Sequence, residues 1–242
     1  MRPSSNLDSF VVKSRPPPQP IAVSKEIRDR DSVFVATVFA ATSLSQAQAC
    51  VKHLKNVVHA QKPADHEIHA WRCMVLKHGC TGLNGPEDFE VKEGSEDDNE
   101  KWGGDKILNT MRKQGVLDAV VIVSRWFGGT LLGPARFTHI EACTLEVCRQ
   151  FKHKEDAKEA LATLQTLDDV LSQLRGELAS MLPPSKTPSA TTKPPDYTAW
   201  IESDLPRAHR LIGARESAIR TVKALIAKHS QLSPSDPGPA DH

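Results

Sequence analysis

The chain lacks any hydrophobic run long enough to span a membrane, and its amino terminus has no apolar signal core. It also lacks an excess of either charge. Its 31 Lys and Arg nearly cancel 30 Asp and Glu, so whole-molecule electrostatics do not favour nucleic acid or an anionic membrane, and only a local patch remains open to such a partner. Cysteine is sparse. Cys50, Cys73, Cys80, Cys143 and Cys148 are odd in number, irregular in spacing and contain no C-x-x-C pair, which argues against a secreted disulfide framework and a structural zinc site. Reduced thiols in a cytoplasmic protein are the expectation. Proline is almost absent from one long stretch: of 17, only Pro63, Pro86 and Pro134 fall between Ile21 and Lys152. A hydrophobic content of 39% is low for 242 fully globular residues, so the proline-rich ends are expected to be tail or linker.

Within the proline-poor stretch, Leu117 to Phe137 has the strongest local pattern. Ala119 to Val123 is a run of mostly β-branched residues without polar alternation, as in a strand covered on both faces. Ser124, Arg125 and Trp126 emerge at its end. Gly128, Gly129 and Gly133 then allow positive φ or a close approach, and Pro134 suits the opening of a helix because it has no N–H to lose. Two readings of this turn stand side by side. Free N–H groups at the helix start, flanked by Arg125 and Arg136, would form an anion site. Alternatively, the glycines only permit a tight connection and the arginines are salt-bridged to the acidic run upstream. No nucleotide-binding glycine motif is present.

Upstream, Ile21 to Asp29 reads as an edge strand and Val33 to Ala41 as a buried one, joined by a polar turn. Ser43 and Gln46 form a capping-box pattern, after which Ala47, Cys50, Val51, Leu54 and Val58 share a helical face. His66 to Lys77 alternates as a strand, and Gly79 to Gly94 reads as a loop, with a hairpin around Asn84-Gly85 as an option. His53, His59, His66, His69 and His78 lack metal-ligand spacing and are expected to be solvated or hydrogen-bonded. The acidic run Glu93 to Glu100 contains Asp97, Asp98 and Glu100 and precedes a helix that turns Ile107, Leu108 and Met111 inward and stops at Gly115. These acids are read as complements to the helix dipole and counter-charges for Arg125 and Arg136, in preference to a divalent-metal site. No metal or cofactor is expected.

The Pro134 helix should bury Phe137, Ile140, Thr144, Val147 and Phe151. From Ala157 to Met181, apolar residues recur at alternating spacings of three and four, the seam of a coiled coil. A second such stripe runs from Leu205 to Ile226, interrupted by Arg215. The first helix is acidic and the second basic, so an antiparallel hairpin within one chain is expected, with a homodimer as the rival. The expected map is therefore a disordered Pro-rich tail at 1–20, a domain at 21–152, a coiled-coil-like helix at 153–182, a Pro-rich linker at 183–198, a second amphipathic helix at 199–230 and a tail at 231–242.

Asp97-Asp98-Asn99-Glu100, Gly103-Gly104 and the run from Ser124 to Phe137 resemble the IMPACT family. Its members carry Asp-Asp-Gly-Glu, small residues at a helix start, and Ser-Arg-Trp-Tyr-Gly-Gly-x-Leu-Leu-Gly-Pro-x-Arg-Phe. The resemblance covers roughly Ile21 to Phe151. It implies an α+β fold of the ribosomal-protein-S5 domain 2-like type, with a sheet of about four strands and two main helices on one face, here followed by a helical carboxyl-terminal extension. It further implies a non-enzymatic role in translation control, in which relatives restrain an eIF2α kinase pathway of amino-acid starvation by competing for the kinase's ribosome-associated activator. The implied partner is a protein of the translation or starvation-response machinery. A ribosome or RNA contact through Arg125, Trp126 and Arg136 is the alternative. The expected oligomeric state is monomer or coiled-coil homodimer. Asn99 stands where the family has glycine, a position where Asn tolerates positive φ. Lys101 and Trp102 stand where it has small residues, and would fill or cover a pocket beside Arg125. Relatives place an RWD domain ahead of this one, for which residues 1–20 are too short.

Overall fold

The computed structural model describes residues 16–181 and 195–232. Contacts divide the chain into two units, Met1–Lys152 and His153–His242. The fold is α+β, with an antiparallel sheet and helices followed by a carboxyl-terminal helical region, as the resemblance implied.

The first unit contains β1 (Ala22–Val23), β2 (Ile27–Asp29), β3 (Ser32–Ala40), α1 (Leu44–His53), β4 (His66–Leu76), β5 (Phe89–Glu96), α2 (Gly103–Lys113) and β6 (Ala119–Trp126). It also holds the start of α3 (Ala135–Met181). The strand order is β1-β3-β6-β4-β5, with β2 also on β3, and every pair is antiparallel. The apolar run of β6 is thus central, and Ala119 to Val123 are fully buried. One face of the sheet, carrying Phe34, Val38, Ile68, Val121 and Val123, packs against Ile107 and Met111 of α2 and Ile140, Val147 and Phe151 of α3. The opposite face, with Phe39, Val120 and Ile122, is covered by Ala47 and Cys50 of α1 and by Leu54.

Four expectations for the strands and α1 region need correction. The single edge strand is two, because Ser24 Oγ accepts the Ala36 N–H at 2.9 Å and the Lys25 N–H turns to the Glu146 carboxylate. The capping box is half formed: Ser43 caps Gln46 N, but the Gln46 side chain accepts from Thr42 N, one residue early. Val58 is 55% exposed, because Leu54–Val58 is a π-turn whose wider spacing carries Val58 off the buried face. Phe89 to Gly94 is strand, not loop. The connection before it is organised by Asp88, which accepts from the Asn84 side-chain amide, Asn84 N and Gly82 N, and those contacts, the Asn84 amide's foremost, hold its carboxyl below the usual range.

The Pro134 helix does not end near residue 152. Nothing between Phe151 and Ala157 is glycine or proline, and α3 runs on to Met181. In the second unit Ala157, Ala160 and Leu164 of α3 pack with Tyr197, Ile201 and Ala208. Helix α4 (Leu205–Leu232) starts later than expected, with Pro206 in its first turn and Asp204 accepting from Arg207 N at 3.0 Å. The stretch ending the expected linker is partly core, since Tyr197 is buried. Most of that linker and both tails lie outside the described residues.

The helix pair is parallel, not antiparallel. His153 near the start of the pairing meets the Glu202 carbonyl at 2.6 Å, and Asp168 further along α3 meets Arg215 further along α4. Chain segment 195–204 returns along α3 before α4 begins, which reverses the direction that a simple hairpin would give.

Candidate functional site

Strand alternation splits the Ser124-Arg125-Trp126 motif between two faces of the sheet. Arg125 points to the α2 and α3 side, and Ser124 and Trp126 to the other.

On the first side, the acidic run makes a tight turn. Asp98 (φ +43°) and Asn99 (φ +68°) are left-handed, so Asn99 meets the backbone demand that its family position implied. Asp97 caps α2, accepting from Trp102 N and Gly104 N at 2.9 Å each. Asp98 Oδ2 accepts the Glu67 N–H at 2.7 Å, and the Asp98 carbonyl bonds His66 Nδ1 at 2.8 Å. These contacts deliver Glu100 beneath the start of α3, where it is 5% exposed. Its two oxygens take Arg125 from β6 and Arg136 from the first turn of α3. The Arg125 guanidinium also lies 5.4 Å from the Phe34 ring and 5.6 Å from that of Phe127. Arg136 Nη1 donates to the Gly133 carbonyl at 2.8 Å, while its Nε sits beside Glu100 as a charge without hydrogen-bond alignment.

Both arginines are therefore spent on one buried carboxylate. The counter-charge reading describes this geometry, and a positively edged, exposed turn is not what forms. Removing one member leaves an uncompensated buried charge, so the cluster ties the acidic turn, β6 and α3 into one piece. Trp102 does not fill a pocket beside Arg125. It is 57% exposed, with Lys101 over its ring at 4.8 Å.

The glycines serve the backbone. A Cβ on Gly128 would be driven into the Asp31 carbonyl and Ser32 amide, and the Gly128 N–H donates to Ser32 Oγ at 3.1 Å. Gly129 and Gly133 have φ of +83° and +56° with open space around them.

On the second side lies a polar cluster that no sequence motif signalled. Glu67, 2% exposed, accepts from Ser124 Oγ at 2.6 Å and bonds His59 Nδ1 at 2.7 Å. The His59 ring meets Trp126 edge-on at 5.1 Å, and Trp126 Nε1 donates to the Lys62 carbonyl. Val33, Val35, Val58 and Trp126 line a shallow cleft of about 380 Å³ here. The only available hint was Glu67 at an inward position of an alternating strand. Among the described residues, no group of three or more His, Cys, Asp or Glu side chains is arranged to hold a metal ion.

An open antiparallel sheet with a strand-glycine-helix turn locked by an Arg-Glu-Arg cluster defines an α+β domain of one recognisable type. Residues 30–148 match the family model of the Impact N-terminal domain. The chain belongs to the IMPACT family. It is 31% identical over 156 residues to protein IMPACT-A of Xenopus tropicalis, an alignment covering 63% of this chain and 44% of that protein. It is 34% identical over 123 residues to the IMPACT homolog of Saccharomyces cerevisiae, covering 51% and 43%. The chain thus spans less than half the length of these relatives. A solved structure of the two-domain translational regulator Yih1 aligns at 34% identity over 51% of this chain and 44% of that one, with a TM-score of 0.34.

Proposed function

We propose that the protein is a non-enzymatic, cytoplasmic translational regulator that restrains eIF2α kinase signalling during amino-acid starvation by binding a protein of that machinery. The observation that supports this reading most is membership of the IMPACT family across residues 30–148, including the motif from Ser124 to Phe137. The geometry is in keeping with it. Glu100 is held between Arg125 and Arg136, and Ser124 donates to the Glu67 carboxylate, which His59 engages through its other oxygen. We read these contacts as structural, in support of recognition by surface as the mode of action.

The test is to raise the level of the protein in its own cells and measure eIF2α phosphorylation after amino-acid withdrawal. A fall relative to control cells is expected, together with recovery of a ribosome-associated protein in pull-downs. Unchanged phosphorylation with no such partner would end this reading.

A further inference from the structure

The family domain stops short of α4, and the charge on that helix has no role in the reading above. Its apolar stripe is used up: Ala208 and Ile219 are buried, and Ile212 packs into the core formed with α3. Arg215 is also used, paired with Asp168. The solvent side carries Arg207, Arg210, Arg220, Lys223 and Lys228, all exposed, against a single acid, Glu216. Between the cations the same side presents Gly213, Ala214, Ser217, Thr221 and Ala224, whose short side chains let another backbone come close.

We propose that the exposed face of α4 binds the phosphate backbone of a nucleic acid. Three observations select that partner. Among its described side chains the face has Leu225 as its only large exposed apolar residue, whereas a protein interface needs an apolar centre. Insertion into a lipid surface needs the apolar stripe, which α3 already covers. Cations spaced along a rod with small residues between them suit a polymer with one charge per repeat. The exposed acids of the α3 segment from Glu155 to Glu177 lie on the other helix, so a polyanion has one face of this unit to choose. This inference does not depend on the regulatory reading.

The experiment is fluorescence anisotropy of the full chain with labelled RNA and DNA duplexes of the same sequence across a salt series. Contacts from all five cations predict a slope of log affinity against log salt of roughly −4.5 on a duplex. The triple variant Arg210→Gln, Arg220→Gln, Lys223→Gln should bind at least about tenfold more weakly at 0.1 M salt, with a slope of about −1.8. A charge-matched control, Lys77→Gln, Lys92→Gln, Lys113→Gln, should bind like the wild type, and circular dichroism should show equal helix in all three proteins. The RNA and DNA arms decide which nucleic acid is preferred. The proposal is overturned if neither duplex binds, if binding ignores salt, or if control and triple variant weaken alike. It is equally overturned if polyglutamate binds with the same loss in the triple variant while neither duplex does, which would make the partner an acidic protein.

Discussion

Arg215 Nε lies 2.6 Å from Asp168 Oδ1, joining α3 and α4 at matching heights as they run in the same direction. The hydroxyl of Tyr197 donates to the other carboxylate oxygen at 2.5 Å, so one acid holds both the returning segment and the helix that follows it. Arg215 is therefore the pin of the parallel arrangement, placed where the apolar stripe breaks. Asp168→Asn should lower the stability of the second unit by about 1–2 kcal/mol, since the pair is partly open to solvent. Urea unfolding followed by fluorescence in a background where Trp71, Trp102 and Trp126 are replaced by Phe, leaving Trp200, will show this as an earlier transition.

Alkali should loosen the same place. Burial, and then the bond to Asp168, push the Tyr197 hydroxyl above its ordinary pKa of 10.0. A group whose folded pKa is raised adds stability that is complete below the unfolded value and is lost as pH rises through the folded one. The second unit should hold its stability up to about pH 10 and lose it above. Tyr197→Phe should abolish that alkaline loss. If the variant and wild type fall together, another group is responsible.

Glu100→Gln should be the most damaging single change in the first unit that alters no volume. It leaves Arg125 buried, and Arg136 partly buried, without their shared counter-charge, at a cost of about 3–5 kcal/mol. Thermal unfolding should shift far more for this variant than for Glu96→Gln, whose carboxylate is mostly exposed.

Gly128→Ala and Gly129→Ala separate two uses of glycine. At Gly128 the new methyl meets backbone on Asp31 and Ser32, which can yield only by moving the β2–β3 turn, at about 1–3 kcal/mol. At Gly129 the methyl has room and only the left-handed φ is strained, by about 1 kcal/mol. Equal midpoints for the two variants would contradict this ranking.

Of the five cysteines, only Cys80 is not buried. Burial pushes the Cys148 thiol up to about 12 and the Cys73 thiol to about 11. At pH 8 an aromatic disulfide reagent should label one thiol per native chain rapidly and all five after denaturation. Rapid labelling of a second thiol in the native protein would mean that the core opens readily.

The first unit was largely legible because its signals are local. The buried run at Ala119 to Val123, the stop at Gly115 and the helix opening after Pro134 each report their own conformation. The pairing of acids with Arg125 and Arg136 was legible as one of two choices, and Glu100 settles which. β5 escaped notice because in this edge strand the apolar alternation is confined to Phe89 and Val91 and gives way to polar residues and Gly94, too short a signal to reveal a strand. Glu67 escaped because a lone carboxylate in a strand has no motif, and although His59 is eight residues away, Ser124 is remote in sequence. The direction of α4 was not encoded in the two stripes, which fit each other either way round. It is fixed by His153, Asp168 and Tyr197, which no periodicity picks out.

The π-turn at Leu54–Val58 acts as a phase shifter in the chain. The ten residues of α1 before it keep step with the sheet, and His59 after it keeps step with Glu67. Five residues fill the place where an α-helical turn would use about four. Deleting one of them would restore ordinary helical phase and rotate the following chain by about 100°, withdrawing the imidazole from the buried carboxylate. Substitutions at Lys55, Asn56 or Val57, whose side chains face solvent, leave that timing intact. What this segment must conserve is its length, and a single-residue gap there is a heavier lesion than three simultaneous replacements.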